Sequence, residues 1–239
     1  MLTDSSYPLT SSKEESLPLG DSELDSFANL ANKVVDAAGE IIRKHSLARG
    51  NFFEVSDANI PSWTTIAAEA EKAMISLILK DFADHTVCGK QSGWSNCSGT
   101  TTPEFVWVLD PIDAVVHNGK LVIGCISNPI TGIKTVGMMG KTTRNGDLLK
   151  TRASEHLEQA YVDIKDPDYN KEAKYAYNRL AYKVGETFFN GNCIAYSELA
   201  AGMLQVVVDF PIVEGAGGII TDWEGNQLSW QPSPESSIP

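Results

Sequence analysis

The pattern of apolar and polar residues divides the chain into helical and extended stretches. Apolar side chains recur every three or four residues over 22–45 and again over 64–82, which predicts two amphipathic helices. Ser22 with Asp25 resembles a capping box at the start of the first helix. Two shorter helices are predicted further along, over 170–184 and 193–202.

Unbroken apolar runs predict strands that are buried on both faces. The clearest run, 105–109, leads directly into Asp110-Pro111-Ile112-Asp113. Further strands are expected over 121–126, 135–138 and 204–208. We expect loops over 84–103 and 115–119, and a hairpin turn at 144–147. This mixture of helices and strands predicts a layered α/β or α+β domain.

Two carboxylates follow the 105–109 strand. Pro111 cannot donate a hydrogen bond to a ladder, so we expect the strand to end there and to leave Asp110 and Asp113 in a loop. Ligands of open α/β sheets bind at this end of the strands. Two interpretations stand: the aspartates cap a turn after a core strand, or they converge on a cation, which oxygen ligands would favour as Mg²⁺.

Composition and charge exclude some classes of protein. The chain has 239 residues, 42% of them hydrophobic, and no apolar run long enough for a transmembrane helix. A formal charge of −12 argues against binding to nucleic acid or to anionic membranes. It is compatible with an anionic substrate, because bound Mg²⁺ would reverse the local field. The four cysteines form no CxxC pair and indicate the reduced thiols of an intracellular protein.

The ends of the chain differ in composition from its middle. We predict a disordered lead over 1–20, one domain over 21–230 with its N-terminal part to about 150 and its C-terminal part over about 151–230, and a disordered tail over 231–239. The lead is acidic and lacks the character of a secretory signal or a transit peptide.

Several motifs, in this order along the chain, resemble the inositol monophosphatase family. They are 35–44, 107–113, 142–146, 151–152, 214–218 and 219–225. The likeness runs from about 25 to 230 and is closest to the plant-type histidinol-phosphatase branch. It implies a layered α-β-α-β-α fold, here incomplete. It also implies Mg²⁺-dependent hydrolysis of histidinol phosphate or inositol phosphates. It implies a plastid location as well, although the first residues lack the features of a transit peptide, which leaves the cytoplasm as the alternative.

The resemblance assigns roles to particular residues. Asp110, Asp113 and the carbonyl of Ile112 match metal ligands of the family. Asp209 is either the third metal aspartate or an unrelated acid that closes a strand. Ala114 stands at a glycine position that contacts substrate phosphate.

Two further positions depart from the family in ways that affect catalysis. Val115 replaces the threonine whose hydroxyl orients the attacking water, and Lys90 replaces a metal-binding glutamate. Two orientations of Lys90 are open: it pairs with the aspartates in the metal's place, or it extends into solvent. We therefore expect impaired or absent activity.

Two segments of the family pattern are missing. About fifteen residues are absent after Asp113, enough for one strand, and a helix is shortened after Asp209. Losing one strand reverses the direction of the strands after it, so we expect the sheet not to close. The alternative functions are a non-catalytic binding or regulatory subunit, which would act as a homodimer or with an intact paralogue, and an inactive splice or divergent product.

Overall fold

The computed structural model describes residues 19–49, 61–97, 103–110, 112–117, 120–138, 140–164, 171–189 and 193–208, with the backbone alone for 48–49, 112–117, 120–121, 171–173, 176 and 208. Its helices are α1 (Asp21–Arg49), α2 (Trp63–Asp81), α3 (Lys171–Ala181) and α4 (Cys193–Ala200). Its strands are β1 (Thr86–Gly89), β2 (Gly93–Ser95), β3 (Phe105–Asp110), β4 (Ile112–His117), β5 (Lys120–Asn128), β6 (Ile133–Met138), β7 (Lys141–Arg144), β8 (Asp147–Leu148), β9 (Tyr161–Ile164), β10 (Glu186–Phe188) and β11 (Val206–Val208).

The strands form two sheets. The larger has the order β2-β1-β3-β4-β5-β6-β7-β8, and β1 and β3 are its parallel pair while its other neighbours are antiparallel. The smaller has the order β10-β9-β11 and is parallel throughout. The described helices lie against the faces of these two sheets.

Burial defines five layers. α1 and α2 pack on one face of the large sheet through a core that includes Phe27, Ile78 and Trp107. On its other face Ile126 contacts α4, which also packs against Phe188 and Val207 of the small sheet. α3 covers the opposite face of the small sheet. The order is therefore α-β-α-β-α, which confirms the predicted fold class.

Several predicted elements differ from those observed. α1 already includes Ser22, so the predicted capping box is wrong: the carbonyl of Gly20 accepts from Glu23 instead. α2 begins after Ser62, whose hydroxyl accepts from the amide of Thr65 at 3.1 Å. The predicted loop over 84–103 contains β1 and β2, and all four residues of β1 are buried.

The strand β4 corrects the largest structural expectation. Residues 112–117, which the sequence places in a loop and a connection, pair with β3 on one side and with β5 on the other. They form a strand between β3 and β5, so the sheet is continuous over the described residues and the prediction that it cannot close is wrong. With β4 between them, β3 and β5 run in the same direction, and each strand from β3 to β6 is antiparallel to the next.

Other predictions are confirmed or lie outside the described residues. β3, β5, α3, α4 and the hairpin turn between β7 and β8 are where the sequence predicts them, and Asn145 and Gly146 have the positive φ angles of such a turn. Residues 1–18 of the predicted lead, the predicted tail, Asp209 and the 214–225 motifs are not among the described residues. None of the helices in the described part of the chain is both long and apolar enough to span a membrane.

Candidate functional site

The candidate site lies where the parallel strands β1 and β3 end. Gly89 is the register partner of Leu109, so Lys90 and Asp110 occupy the next pair of positions along this ladder. The amide of Lys90 donates to the carbonyl of Leu109 at 2.9 Å, which continues the pairing by one residue. Because both strands run the same way, their carboxyl ends bring residues 90 and 110 to one edge of the sheet.

Lys90 and Asp110 form an ion pair at this edge. Lys90 Nζ donates to Asp110 Oδ2 at 2.7 Å, with side-chain exposures of 56% and 32%. Of the two orientations that the sequence leaves open for Lys90, the structure has the paired one. A contact of this exposure stabilises the fold by roughly 0.2–1 kcal/mol, so its importance lies in the charge that it places beside Asp110.

A buried carboxylate lies behind this pair. Glu71 on α2 is only 4% exposed, and it accepts hydrogen bonds from the amides of Gln91 and Ser92 and from the Ser92 hydroxyl. Glu71 is not among the site residues predicted from the sequence. A signal was present, since this position falls four residues after Ala67 and three before Met74, on the predicted buried stripe of the helix.

The remaining motif residues lie on β4. Asp110 is opposite Ile112 and Leu109 is opposite Asp113 in the β3–β4 register. Positions directly opposite share a face and successive positions alternate, so positions 110 and 113 belong to opposite faces of the sheet. Ala114 and Val115 continue β4, opposite Val108 and Trp107. The assignment of Asp110, Ile112 and Asp113 as metal ligands stays a prediction.

The beginning of α4 is close to Asp110. Burial, and then the Asp110 carboxylate, raise the pKa of the Cys193 thiol. Burial likewise raises the pKa of Cys88, on β1, to about 11, with a further contribution from the charge of Glu71. The carboxylates Asp110 and Glu71 therefore disfavour thiolates at both cysteines, which argues against either thiol acting as a nucleophile.

A polar cluster attaches α4 to the large sheet. Arg144 Nη2 donates to the carbonyl and the hydroxyl of Ser197 at 2.6 and 2.8 Å, and to Glu198 Oε1 at 3.1 Å. The hydroxyls of Thr135 and Ser197 lie 2.6 Å apart. These contacts fix the helix whose first residue, Cys193, approaches Asp110.

Metal ligands are sparse in the described part of the site. Among the residues that the structure describes, no group of three or more His, Cys, Asp or Glu is arranged to hold a metal ion. At the edge itself, Asp110 Oδ2 contacts the Lys90 ammonium at 2.7 Å. Of the predicted carboxylate ligands, Asp110 is the one whose side chain the structure describes, and that carboxylate is bound to Lys90.

The comparison with known families decides the lineage. The sequence profile of the inositol monophosphatase family matches residues 23–236. The chain belongs to the inositol monophosphatase family. This assignment confirms the resemblance inferred from the motifs and makes the chain a member of a phosphatase family.

One curated relative aligns over nearly the whole chain. The chloroplastic bifunctional phosphatase IMPL2 of Arabidopsis thaliana is 36% identical over 263 residues, which cover 98% of this chain and 74% of the relative. The alignment is longer than the 239 residues of this chain, so it includes gaps on this side. Such gaps agree with the predicted missing segments.

Solved inositol monophosphatases have the same fold. The enzyme from Zymomonas mobilis superposes with a TM-score of 0.71 at 25% identity, covering 86% of this chain and 88% of that one. Inositol monophosphatase-II from Staphylococcus aureus gives 0.72 at 15% identity, with coverages of 85% and 84%. The protein from Anabaena gives 0.69 at 18%, with coverages of 86% and 87%. Most of the family's architecture is thus retained despite the missing segments.

Proposed function

We propose that this chain is a divergent inositol monophosphatase relative whose Mg²⁺-dependent phosphomonoesterase activity is strongly reduced or lost. The observation that carries the proposal is the 2.7 Å contact between Lys90 Nζ and Asp110 Oδ2. Positions 90 and 110 follow paired positions of a parallel ladder. A glutamate at 90 would therefore place two carboxylates side by side, an arrangement that a divalent cation stabilises.

Lysine at position 90 acts against metal binding in two ways. It removes one oxygen ligand, and it adds a positive charge beside the aspartate. At an effective dielectric constant near 20, two unit charges 4 Å apart interact by about 4 kcal/mol, and Mg²⁺ carries two charges. Screening at this partly exposed site reduces the repulsion, and the loss of an oxygen ligand adds to what remains of it.

The water-activating group expected from the family is also absent. Val115 has no hydroxyl, and it lies on β4 opposite Trp107 rather than in a loop beside the strand end. Loss of a positioned polar group at a reaction centre costs on the order of 10²–10³ in rate. Together with the change at position 90, this supports strongly reduced hydrolysis.

The substrate class is inferred from the lineage. The family favours inositol phosphates as compounds to test, and the resemblance of the motifs to the plant-type histidinol-phosphatase branch adds histidinol phosphate. The chloroplastic relative makes the plastid the first location to examine for this chain.

A phosphate-release assay tests the proposal. Native protein is incubated with histidinol phosphate, or with inositol monophosphate, and millimolar Mg²⁺, beside the variant Lys90→Glu. We expect turnover by the native chain to be at background and turnover by the variant to rise above it. Robust Mg²⁺-dependent turnover by the native chain would refute the proposal.

The retained five-layer fold favours a second candidate, a non-catalytic binding or regulatory subunit. A continuous eight-stranded sheet beside a substituted site gives such a subunit a folded surface without catalysis. Light scattering on the purified chain, alone and mixed with an intact paralogue, tests this candidate. A mixed dimer would support it, and two unmixed monomers would count against it.

A further inference from the structure

We infer that Glu71 is a positioning residue of the candidate site, because its buried carboxylate fixes the turn that presents Lys90 to Asp110. This inference rests on the proposed function, since it explains how the cation that opposes the metal is held in place. Glu71 lies outside the motifs in which the chain resembles the family. The evidence is the set of contacts on either side of Lys90.

The backbone of the turn is held from two directions. On one side the Lys90 amide donates to the Leu109 carbonyl of β3 at 2.9 Å. On the other side the amides of Gln91 and Ser92 donate to the Glu71 carboxylate, each at 2.9 Å. Three successive amides are thus fixed to two different elements, β3 and α2, and the side chain of Lys90 projects from the middle of this arrangement.

The approach of Glu71 to the turn depends on Gly89. A Cβ atom at position 89 would lie 2.5 Å from Glu71 Oε2 and 3.1 Å from its carboxyl carbon. Only glycine leaves room for the carboxylate to lie against the end of β1. The Ser92 hydroxyl, which donates to the same oxygen at 2.8 Å, closes the contact from the other side.

The charge of Glu71 matters as well as its shape. A carboxylate accepts from amides with bonds roughly twice as strong as those to a neutral oxygen. In its deprotonated form it accepts from the amides of Gln91 and Ser92 and the Ser92 hydroxyl without giving up a lone pair to a proton. A neutral amide with its oxygen at the Oε2 position would place its NH₂ group where Oε1 now lies, 2.9 Å from the Gln91 amide. Two donors would then face each other, which would weaken the support of the turn at Gln91.

The competing interpretation is that Glu71 only satisfies buried amides while Lys90 finds Asp110 unaided. The two interpretations differ in what happens to the Lys90 ammonium when the turn is altered. If Glu71 positions Lys90, weakening the turn releases the ammonium. If it does not, the ammonium stays bound to Asp110, because four rotatable bonds allow a lysine side chain to follow a small shift of its backbone.

The test compares Glu71→Gln with Glu69→Gln in the metal-free chain. Glu69 is on the same helix but pairs with His45 at 3.2 Å and is 51% exposed, so it controls for loss of one α2 carboxylate. The readout is the ¹H–¹⁵N signal of the Lys90 ammonium, assigned by its disappearance in Lys90→Arg, and its rate of proton exchange with water. Exposed Lys183 provides the reference for a free ammonium.

We expect slow exchange at Lys90 in the native chain and in Glu69→Gln. In Glu71→Gln we expect exchange several-fold faster and close to that of Lys183, as in Asp110→Asn, which removes the acceptor. An unchanged Lys90 signal in a folded Glu71→Gln chain would overturn the inference. If Glu71→Gln does not fold, Glu71→Asp keeps the charge but shortens its reach, and unchanged exchange there would equally overturn it.

This result is separable from the proposed function. The measurement uses neither Mg²⁺ nor phosphate ester, so it reports only whether Glu71 controls Lys90. Mg²⁺-dependent turnover by the native chain would refute the proposed function whatever the ammonium signal shows. An unchanged ammonium signal together with absent turnover would reject Glu71 as a positioning residue and leave the proposed function standing.

Discussion

Trp107 donates its indole N–H to Nδ1 of His85 at 3.0 Å, inside the core beneath α1 and α2. The imidazole is stacked between Phe82 and Phe105, with ring centroids at 4.5 and 4.7 Å. Nδ1 must be unprotonated to accept this bond, so the His85 ring is neutral in the native fold. The aromatic cluster therefore links the stability of the fold to pH.

The first prediction concerns the pH dependence that this bond creates. Burial lowers the pKa of His85, an effect that the charges of Asp84 and Glu104 partly offset. An unfolded histidine has a pKa near 6.5, so as the pH falls it takes up a proton before the native His85 does. Protonation therefore stabilises the unfolded state relative to the native state. The free energy of unfolding should be maximal above about pH 6.5 and decrease below it, by about 1.4 kcal/mol for each unit by which the pKa is lowered.

Urea unfolding of the native chain and of His85→Gln between pH 7.5 and 5 checks this prediction. The glutamine carbonyl can accept from Trp107 but does not titrate in this range, so the variant should lose less stability on acidification. Other acidic groups titrate equally in both chains. Identical pH dependence in the two would contradict the account.

The second prediction concerns β4. Its backbone pairs with β3 and β5, so the amides of 112–117 should exchange with deuterium at rates close to those of 105–110. The irregular, mostly exposed stretch over 152–156 supplies the comparison within the same chain. Mass spectrometry of peptides would measure this, and exchange over 112–117 as fast as over 152–156 would return the segment to the loop that its sequence suggests.

The third prediction concerns the attachment of α4. Arg144→Met keeps most of the side-chain volume but removes the donors to Ser197 and Glu198. Leaving such partly buried acceptors unpaired should lower the free energy of unfolding by roughly 1–3 kcal/mol. Lys141→Met on the same strand is the control, because Lys141 is exposed and should change stability by no more than about 0.5 kcal/mol. Equal stability of the two variants in urea would show that the cluster does not anchor the helix.

Helices and strands with a long apolar pattern could be predicted from the sequence, and those with a short pattern could not. β3 and β5 were predicted because their apolar runs are unbroken, and α1 and α2 because their stripes repeat over several turns. β1 was missed because four residues, Thr86–Gly89, give too short a run among glycines and polar residues, and its pairing with β3 decides its conformation. Local propensity was outweighed there by a partner strand.

The candidate site shows the same division. The pairing of Lys90 with Asp110 was one of two orientations that the sequence allowed, and the ladder register selects between them. The sequence does not reveal that Asp113 and Val115 lie on a strand, because Pro111 is typical of a turn. Their conformation follows from the place between β3 and β5 in the sheet, which local sequence does not show. Glu71 was overlooked because a charged residue on a helix is usually solvent-exposed.

We propose above that lysine at position 90 prevents the site from binding Mg²⁺. Isothermal titration of MgCl₂ into native chain, Lys90→Glu and Lys183→Glu measures it directly, and the last variant has the same charge change at an exposed position of the described chain. We predict no resolvable binding to the native chain or to Lys183→Glu, and saturable binding to Lys90→Glu. Saturable binding to the native chain that Lys90→Glu leaves unchanged would contradict the account.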